Sequence, residues 1–369
     1  MECFDDKGAS VVPHYGTKQI LIMMKYKKIF LYFASLTAIT FLLWIADARE
    51  ILNHFIAIDF KLLIPVALLQ LVTIFLINWQ WRLTSQAIEN AVPWRKLVYI
   101  NMIGTFVESI TPALKTGSEL TRIYYLKSHA GMSLTKAASM VILQKSISFF
   151  AFISLNIIGL TFFLTTFSNE VNNATFFIVN LIILAVIFLF LVYFIRSPKS
   201  LSFFIKPIPF VPERFKNKTI SFLDSLQENI SSLLKNTSLF LIMLIQAFII
   251  WILYAVKAYI IVRSLGIRIE FAEITVVTLF SYMIGMLPLF PGGLGSFEAT
   301  YSFMFVFLGL DVEMGIASAL TLRLVTFWFV FFISAFYLAV HALKSNMWKM
   351  EALSRGLKVR NSIEQKHEL

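Results

Sequence analysis

The sequence predicts an all-α fold: a polytopic integral membrane protein of about six spanning helices plus two re-entrant broken-helix hairpins. Three observations carry this. Only 14% of the residues are charged and 58% are hydrophobic, where a soluble domain carries roughly 25% charge. Nearly uncharged runs long enough to cross a bilayer recur along the chain. The Lys and Arg residues gather between alternate runs, on what becomes one side of a membrane.

In chain order, residues 1–28 read as a cytoplasmic leader ending in Lys25, Lys27 and Lys28, without the cleavage site of a secretory signal. Residues 29–343 form the membrane domain. Spans are expected at Ile29–Ala46, Leu62–Trp79, Leu134–Leu164, Ala174–Ile195, Leu239–Val262 and Val312–Ala342. Two further apolar segments are interrupted, one by Thr111-Pro112 and Gly117, the other by Pro288 and Pro291-Gly292-Gly293-Leu294-Gly295. The piece before each break has about 16 residues, near 24 Å as a helix and short for a roughly 30 Å hydrocarbon core. Pro112, Gly117, Pro288 and Pro291 are therefore read as structural breaks between half-helices, within hairpins at 97–128 and 275–308.

Charge fixes the direction of return. If both segments come back to the side they left, the N-terminal lysines, Arg82, Arg95, Lys96, Lys115, Arg122, Lys127, Lys136, the basic loop 196–235 and the basic tail 344–369 share one side. Only Arg49, Lys61, Arg263 and Arg268 then lie opposite. Both termini are thus expected in the cytoplasm, with the chain in the plasma membrane. Within the loop, residues 213–235 place Ile220, Leu223, Leu226 and Ile230 at helical spacing among polar residues. That fits an amphipathic helix, either lying on the membrane or packed on loops.

An internal echo runs through the domain. Gly117, Gly131 and Lys145 follow one another at the same spacing as Gly295, Gly309 and Arg323, and Met102-Ile103-Gly104 is answered by Met283-Ile284-Gly285. An odd number of spans separates the two hairpins, which gives the copies opposite topology, the inverted repeat of many transporters.

Glu108, Glu119, Lys145, Lys257, Glu298 and Arg323 fall inside apolar segments, with Arg122 close by. Each costs about 2.5–3.5 kcal/mol at the bilayer centre, so they should face protein or a wet cavity in pairs. They read either as ion pairs locking helices or as a binding site. In the second reading, helices beginning after Gly117 and Gly295 turn backbone N–H groups and positive dipole ends inward. Gly292, Gly293 and Gly295 let a headgroup approach the backbone, and Lys145 and Arg323 add full charge beside Glu119, Arg122 and Glu298. The expected ligand is a membrane lipid with an anionic headgroup.

No His-Glu-x-x-His, Asp-rich or Gly-x-Ser-x-Gly motif is present, the five histidines are scattered, and Cys3 is the single cysteine. No enzymatic activity, cofactor or metal is expected. The net charge of +11 is read as cytoplasmic loops facing anionic lipid, not as nucleic-acid binding.

The stretch Pro291-Gly292-Gly293-Leu294-Gly295-Ser296-Phe297-Glu298, followed by Gly309 and Arg323, resembles the signature of a flippase-like membrane family, that of the transmembrane region of lysylphosphatidylglycerol synthase. Thr111-Pro112, Gly117, Glu119, Arg122 and Gly131-Met132-Ser133 are similar to that family's other motif. The resemblance covers residues 25–345. Where the family has an acid–base pair followed by Asp, this chain has Gln144-Lys145 and then Ser148, keeping the base and losing two acids. The resemblance implies translocation of an anionic or amphipathic lipid, a phospholipid or one linked to polyprenyl phosphate, between leaflets. It does not imply synthesis, because the residues after the last span are too few for a synthase domain. The competing readings are a secondary transporter of a small polar or anionic solute, and an enzyme or accessory subunit acting on polyprenyl-linked glycans. A second copy of the chain and a separate lipid-modifying enzyme stay open as protein partners.

Overall fold

The structure is a computed structural model describing residues 60–88, 91–110, 116–167, 174–197, 202, 212–287 and 293–344. The leader, the first expected span (Ile29–Ala46), the tail beyond Lys344, and Pro112, Pro288, Pro291 and Gly292 lie outside the described residues.

The described residues are helical, with no strand among them. In order they form α1 (Phe60–Ala87), α2 (Trp94–Ile110), α3 (Thr116–Ala130), α4 (Leu134–Phe167), α5 (Ala174–Arg196), α6 (Glu213–Lys235), α7 (Thr237–Ser264), α8 (Phe271–Gly285) and α9 (Ser296–Phe307). The last, α10, starts as Val312–Arg323, passes through a π-helical turn at Leu324–Trp328 and runs on to Lys344. Within α1, α4, α7 and α10 lie four stretches long and apolar enough to cross a bilayer, and α5 and α8 add shorter apolar ones. Their outer faces are apolar as well: Leu68, Leu71 and Phe75 on α1 and Ile178, Ile182, Val186 and Leu189 on α5 are exposed. Patches of that size have no place on a soluble monomer and suit contact with lipid.

Helix α1 continues beyond the expected end at Trp79 to Ala87. Its polar residues Gln80, Thr84 and Ser85 are buried. The Thr84 hydroxyl donates to the Gln80 carbonyl at 2.8 Å.

Both interrupted segments fold back on themselves. On α2 and α3, Tyr99 meets Tyr125 and His129 with ring centroids 6.0 and 5.8 Å apart, and Gly104 lies against Arg122. A Cβ on Gly104 would stand 2.4 Å from the Arg122 Nε. A helix continuing across the break would separate these pairs by roughly 27 Å or more at 1.5 Å per residue. On α8 and α9, the Tyr282 and Phe297 rings are 4.7 Å apart. The arms before the breaks, 17 residues in α2 and 15 in α8, are too short to cross.

The repeated glycines do the same work in each copy. Gly131 (φ 73°) and Gly309 (φ 69°) adopt the left-handed conformation just past α3 and α9, where a side chain would be strained. Backbone bonds close the two ends, Met132 N–H to Leu126 O at 3.2 Å and Leu310 N–H to Phe305 O at 3.0 Å. Each turn delivers the chain into the long helix that carries the repeated base, Lys145 on α4 and Arg323 on α10.

Helix α6 forms over the expected residues, and its apolar face packs on helices, neither on loops nor outward. Leu223, Leu226, Ile230 and Leu233 are buried where α6 packs on α4 and α7. That face is used by the bundle and is not left for the lipid surface.

Gly104→Val should lower the melting temperature of the detergent-solubilised protein by the equivalent of about 1–3 kcal/mol, the usual cost of overpacking. A Val tolerated there without loss would mean that α2 and α3 do not pack as described.

Candidate functional site

Apart from Lys257, the charges that cannot face lipid meet in two groups, one in each half. In the first, Arg122 of α3 donates to Glu119 Oε1 at 2.9 Å and to Ser118 Oγ at 3.3 Å, and lies 3.6 Å from Glu108 of α2. Lys145 of α4 reaches the same Glu119 oxygen at 2.9 Å. The Arg122 guanidinium lies over the Trp81 ring, 5.7 Å from its centroid. In the second group, Arg323 of α10 pairs with Glu298 of α9 through Nε at 3.2 Å, and its guanidinium lies over the rings of Phe297 and Phe327. The echo in the sequence is thus an echo of ion pairs. In each half an acid in the first turn of the returning arm holds the base on the helix that follows.

The two bases differ in setting. Arg323 and Glu298 have side chains only 8% and 4% exposed, whereas the Lys145 side chain is 41% exposed. Burying a charged pair is favourable only when both partners remain.

Both groups open onto one cavity of about 270 Å³, whose wall includes Arg122, Lys145, Arg323 and Glu108, the aromatic residues Trp81, Trp251, Tyr254 and Tyr282, and Gly285 and Gly293. This size lies just below the usual range of small-molecule sites, about 300–1,000 Å³. Gly293, at φ 69°, sits so close to the Gly285 carbonyl that a Cβ would come within 2.3 Å of its oxygen.

The expected residues are therefore largely brought together. Lys145, Arg122, Arg323 and Gly293 line the cavity, and Glu119 and Glu298 stand behind it as counter-ions. Gly292 lies outside the described residues. One expectation is corrected at Gly295: its N–H donates to Glu298 Oε2 at 2.7 Å. The carboxylate three residues on satisfies this donor, as in a capping box, so the start of α9 does not offer it to a ligand. Gly117, expected as a break, is the second residue of the returning arm α3 (Thr116–Ala130).

Sequence reasoning noted Lys257 and Glu108 as charges inside apolar segments but gave neither a place in the site. Lys257 of α7 is fully buried. It donates to Gln70 Oε1 and, at 3.2 Å, to Thr73 Oγ1, with the Tyr254 ring 4.0 Å away. No carboxylate pairs with it among the described residues. Of the amide residues of the cavity wall only Gln144 was noted, as a departure from the family's motif, and the others were missed. Their signal is the stripe Gln70, Thr73, Asn78, Gln80 and Thr84 along the apolar helix α1, all of them buried.

A family model described as the transmembrane region of lysylphosphatidylglycerol synthase matches residues 32–334. The chain belongs to that family. A relative described as a UPF0104 membrane protein, from Methanothermobacter thermautotrophicus, is 24% identical over 320 residues, covering 83% of this chain and 93% of the relative. Another so described, from Pyrococcus horikoshii, is 23% identical over 315 residues, covering 82% and 93%. The family match spans both hairpins and both ion-pair groups, and with the apolar helices it makes the chain a multi-pass membrane protein.

Arg323→Ala should cost about 3–5 kcal/mol of stability by leaving Glu298 buried and uncompensated, while Arg323→Met combined with Glu298→Gln should regain most of it. Thermal unfolding in detergent measures both. A single variant as stable as the parent would contradict the pairing.

Proposed function

We propose that this member of the family moves an anionic or amphipathic lipid, a phospholipid or one linked to polyprenyl phosphate, between the two leaflets, holding the headgroup in the cavity between the hairpins. The observation that carries this reading is the convergence of three intramembrane cations, Arg122, Lys145 and Arg323, on one cavity. The volume has room for a headgroup but none for acyl chains, which stay in the bilayer.

Lys145 makes the first contact. Its ammonium is the most exposed of the three cations and acts as a point charge toward a phosphate. An arriving phosphate competes with Glu119 for Lys145, and Arg122 keeps Glu119 compensated when that exchange occurs. Arg323, held by Glu298 between two rings, is the more rigid wall of the site and presents a guanidinium suited to bidentate phosphate binding.

The side that is basic in the sequence is the cytoplasmic one in this proposal, with both termini there and the protein in the plasma membrane. Cysteines placed at Asn172 and Asn217, with Cys3 removed, should then label from opposite faces of sealed vesicles. Labelling from one face would overturn the topology.

Leaflet-resolved transfer in proteoliposomes tests the function. Lys145→Ala should slow transfer of an acidic phospholipid by about tenfold or more while leaving the melting temperature nearly unchanged, since a half-exposed ion pair contributes roughly 1 kcal/mol or less. Transfer at the parental rate in that variant would remove lipid translocation through this cavity. A double Arg323→Met, Glu298→Gln protein that still transfers at full rate would confine that pair to holding the fold.

A further inference from the structure

The cavity wall carries a second kind of recognition, made of neutral amides. Asn78 of α1 donates from Nδ2 to the Ile74 carbonyl of its own helix at 2.8 Å. That leaves its oxygen as an acceptor, and Asn101 of α2 donates to it at 2.9 Å. Gln80 donates to the Met243 carbonyl of α7 at 3.2 Å, and its oxygen accepts from Gln144 of α4 at 2.9 Å. Each chain is anchored on a backbone carbonyl, which can only accept, so the direction of every bond in it is fixed. Turning an amide over would set two oxygens or two amino groups face to face.

Both chains therefore end in an oxygen. Asn101 Oδ1 and Gln144 Oε1 are buried and have no donor in the structure, while both residues line the cavity. An unmet acceptor in a low-dielectric interior is costly, and here two belong to residues that line the same cavity.

We propose that these two oxygens form a hydroxyl-reading subsite, taking donors from a polyol, glycerol- or sugar-like, carried on the anionic headgroup. This rests on the headgroup reading above and names the chemistry beyond the phosphate. Both oxygens are shielded in this structure, so the subsite forms as the headgroup enters and the side chains yield to it. Hydroxyl donors fit better than an ammonium on charge grounds. Glu108, Glu119 and Glu298 each already face an Arg or Lys, so no acid of the site is left over for an ammonium.

The test titrates the full chain in detergent with three dioleoyl lipids, read by native mass spectrometry. Phosphatidylmethanol and phosphatidylglycerol carry the same single phosphodiester charge and differ in hydroxyls; phosphatidylethanolamine puts an ammonium in their place. Phosphatidylglycerol should bind about tenfold tighter than phosphatidylmethanol, the worth of one or two net hydrogen bonds. Gln144→Met should reduce that preference to about threefold or less without weakening phosphatidylmethanol. Gln246→Met is the control: Gln246 is also buried, donates to the Leu76 carbonyl and leaves its oxygen unmet, but it stands off the cavity, so the preference should survive. Equal affinity of the parent protein for phosphatidylglycerol and phosphatidylmethanol would overturn the subsite whether or not the variants fold. Tighter binding of phosphatidylethanolamine would overturn the hydroxyl class. Failure of the parent to bind phosphatidylmethanol at all would instead overturn the headgroup reading beneath it.

Discussion

One carboxylate, that of Glu298, ties together the second half of the molecule. One oxygen closes the start of α9 by accepting from the Gly295 N–H, and the other accepts from Arg323 on α10. Inside a membrane neither the helix end nor the guanidinium can be left to water, and each alone would be expensive. Joined through one acid they become neutral together and fix how far the returning arm stands from the last long helix. The aromatic rings of Phe297 and Phe327 then close on the guanidinium, and the cavity takes its shape around it.

The first half repeats the device with looser parts. Glu119 holds Lys145 as Glu298 holds Arg323, but Arg122 shares the same oxygen and Glu108 adds a second acid nearby. Two cations on one carboxylate can be redistributed when an anion arrives, whereas a single buried pair cannot give up its partner cheaply. The asymmetry gives the cavity one yielding wall and one stiff wall. In the proposed translocation both would serve, since a carrier must release what it binds.

Much of this was legible in the sequence because the bilayer forbids most alternatives. Short apolar arms with Pro and Gly at their ends had to return, and the pairs Gly104 with Arg122 and Tyr282 with Phe297 confirm that they do. The spacing of Gly131 and Gly309 ahead of Lys145 and Arg323 predicted equivalent parts, and both glycines sit at left-handed turns. The ion-paired residues of the cavity stood out because charge in an apolar segment is conspicuous. Partners were less legible: the three-residue spacing of Gly295 and Glu298 fits a capping box, but whether the carboxylate turns back to the Gly295 N–H depends on a side-chain rotamer. The buried amides Asn78, Gln80 and Asn101 escaped because an uncharged polar residue in an apolar helix is far less conspicuous than a charge, and Gln144 was noted only as the place where the family has an acid.

The central claim is that Arg122, Lys145 and Arg323 together hold an anionic headgroup at membrane depth. Native mass spectrometry of the protein released from nanodiscs containing equal parts of an acidic phospholipid and phosphatidylcholine tests it most directly. The account predicts retention of the acidic lipid, about tenfold or more over phosphatidylcholine, and loss of that preference in Arg122→Gln with Lys145→Gln. Equal retention of the two lipids by the parent protein, or an unchanged preference in the double variant, would contradict it.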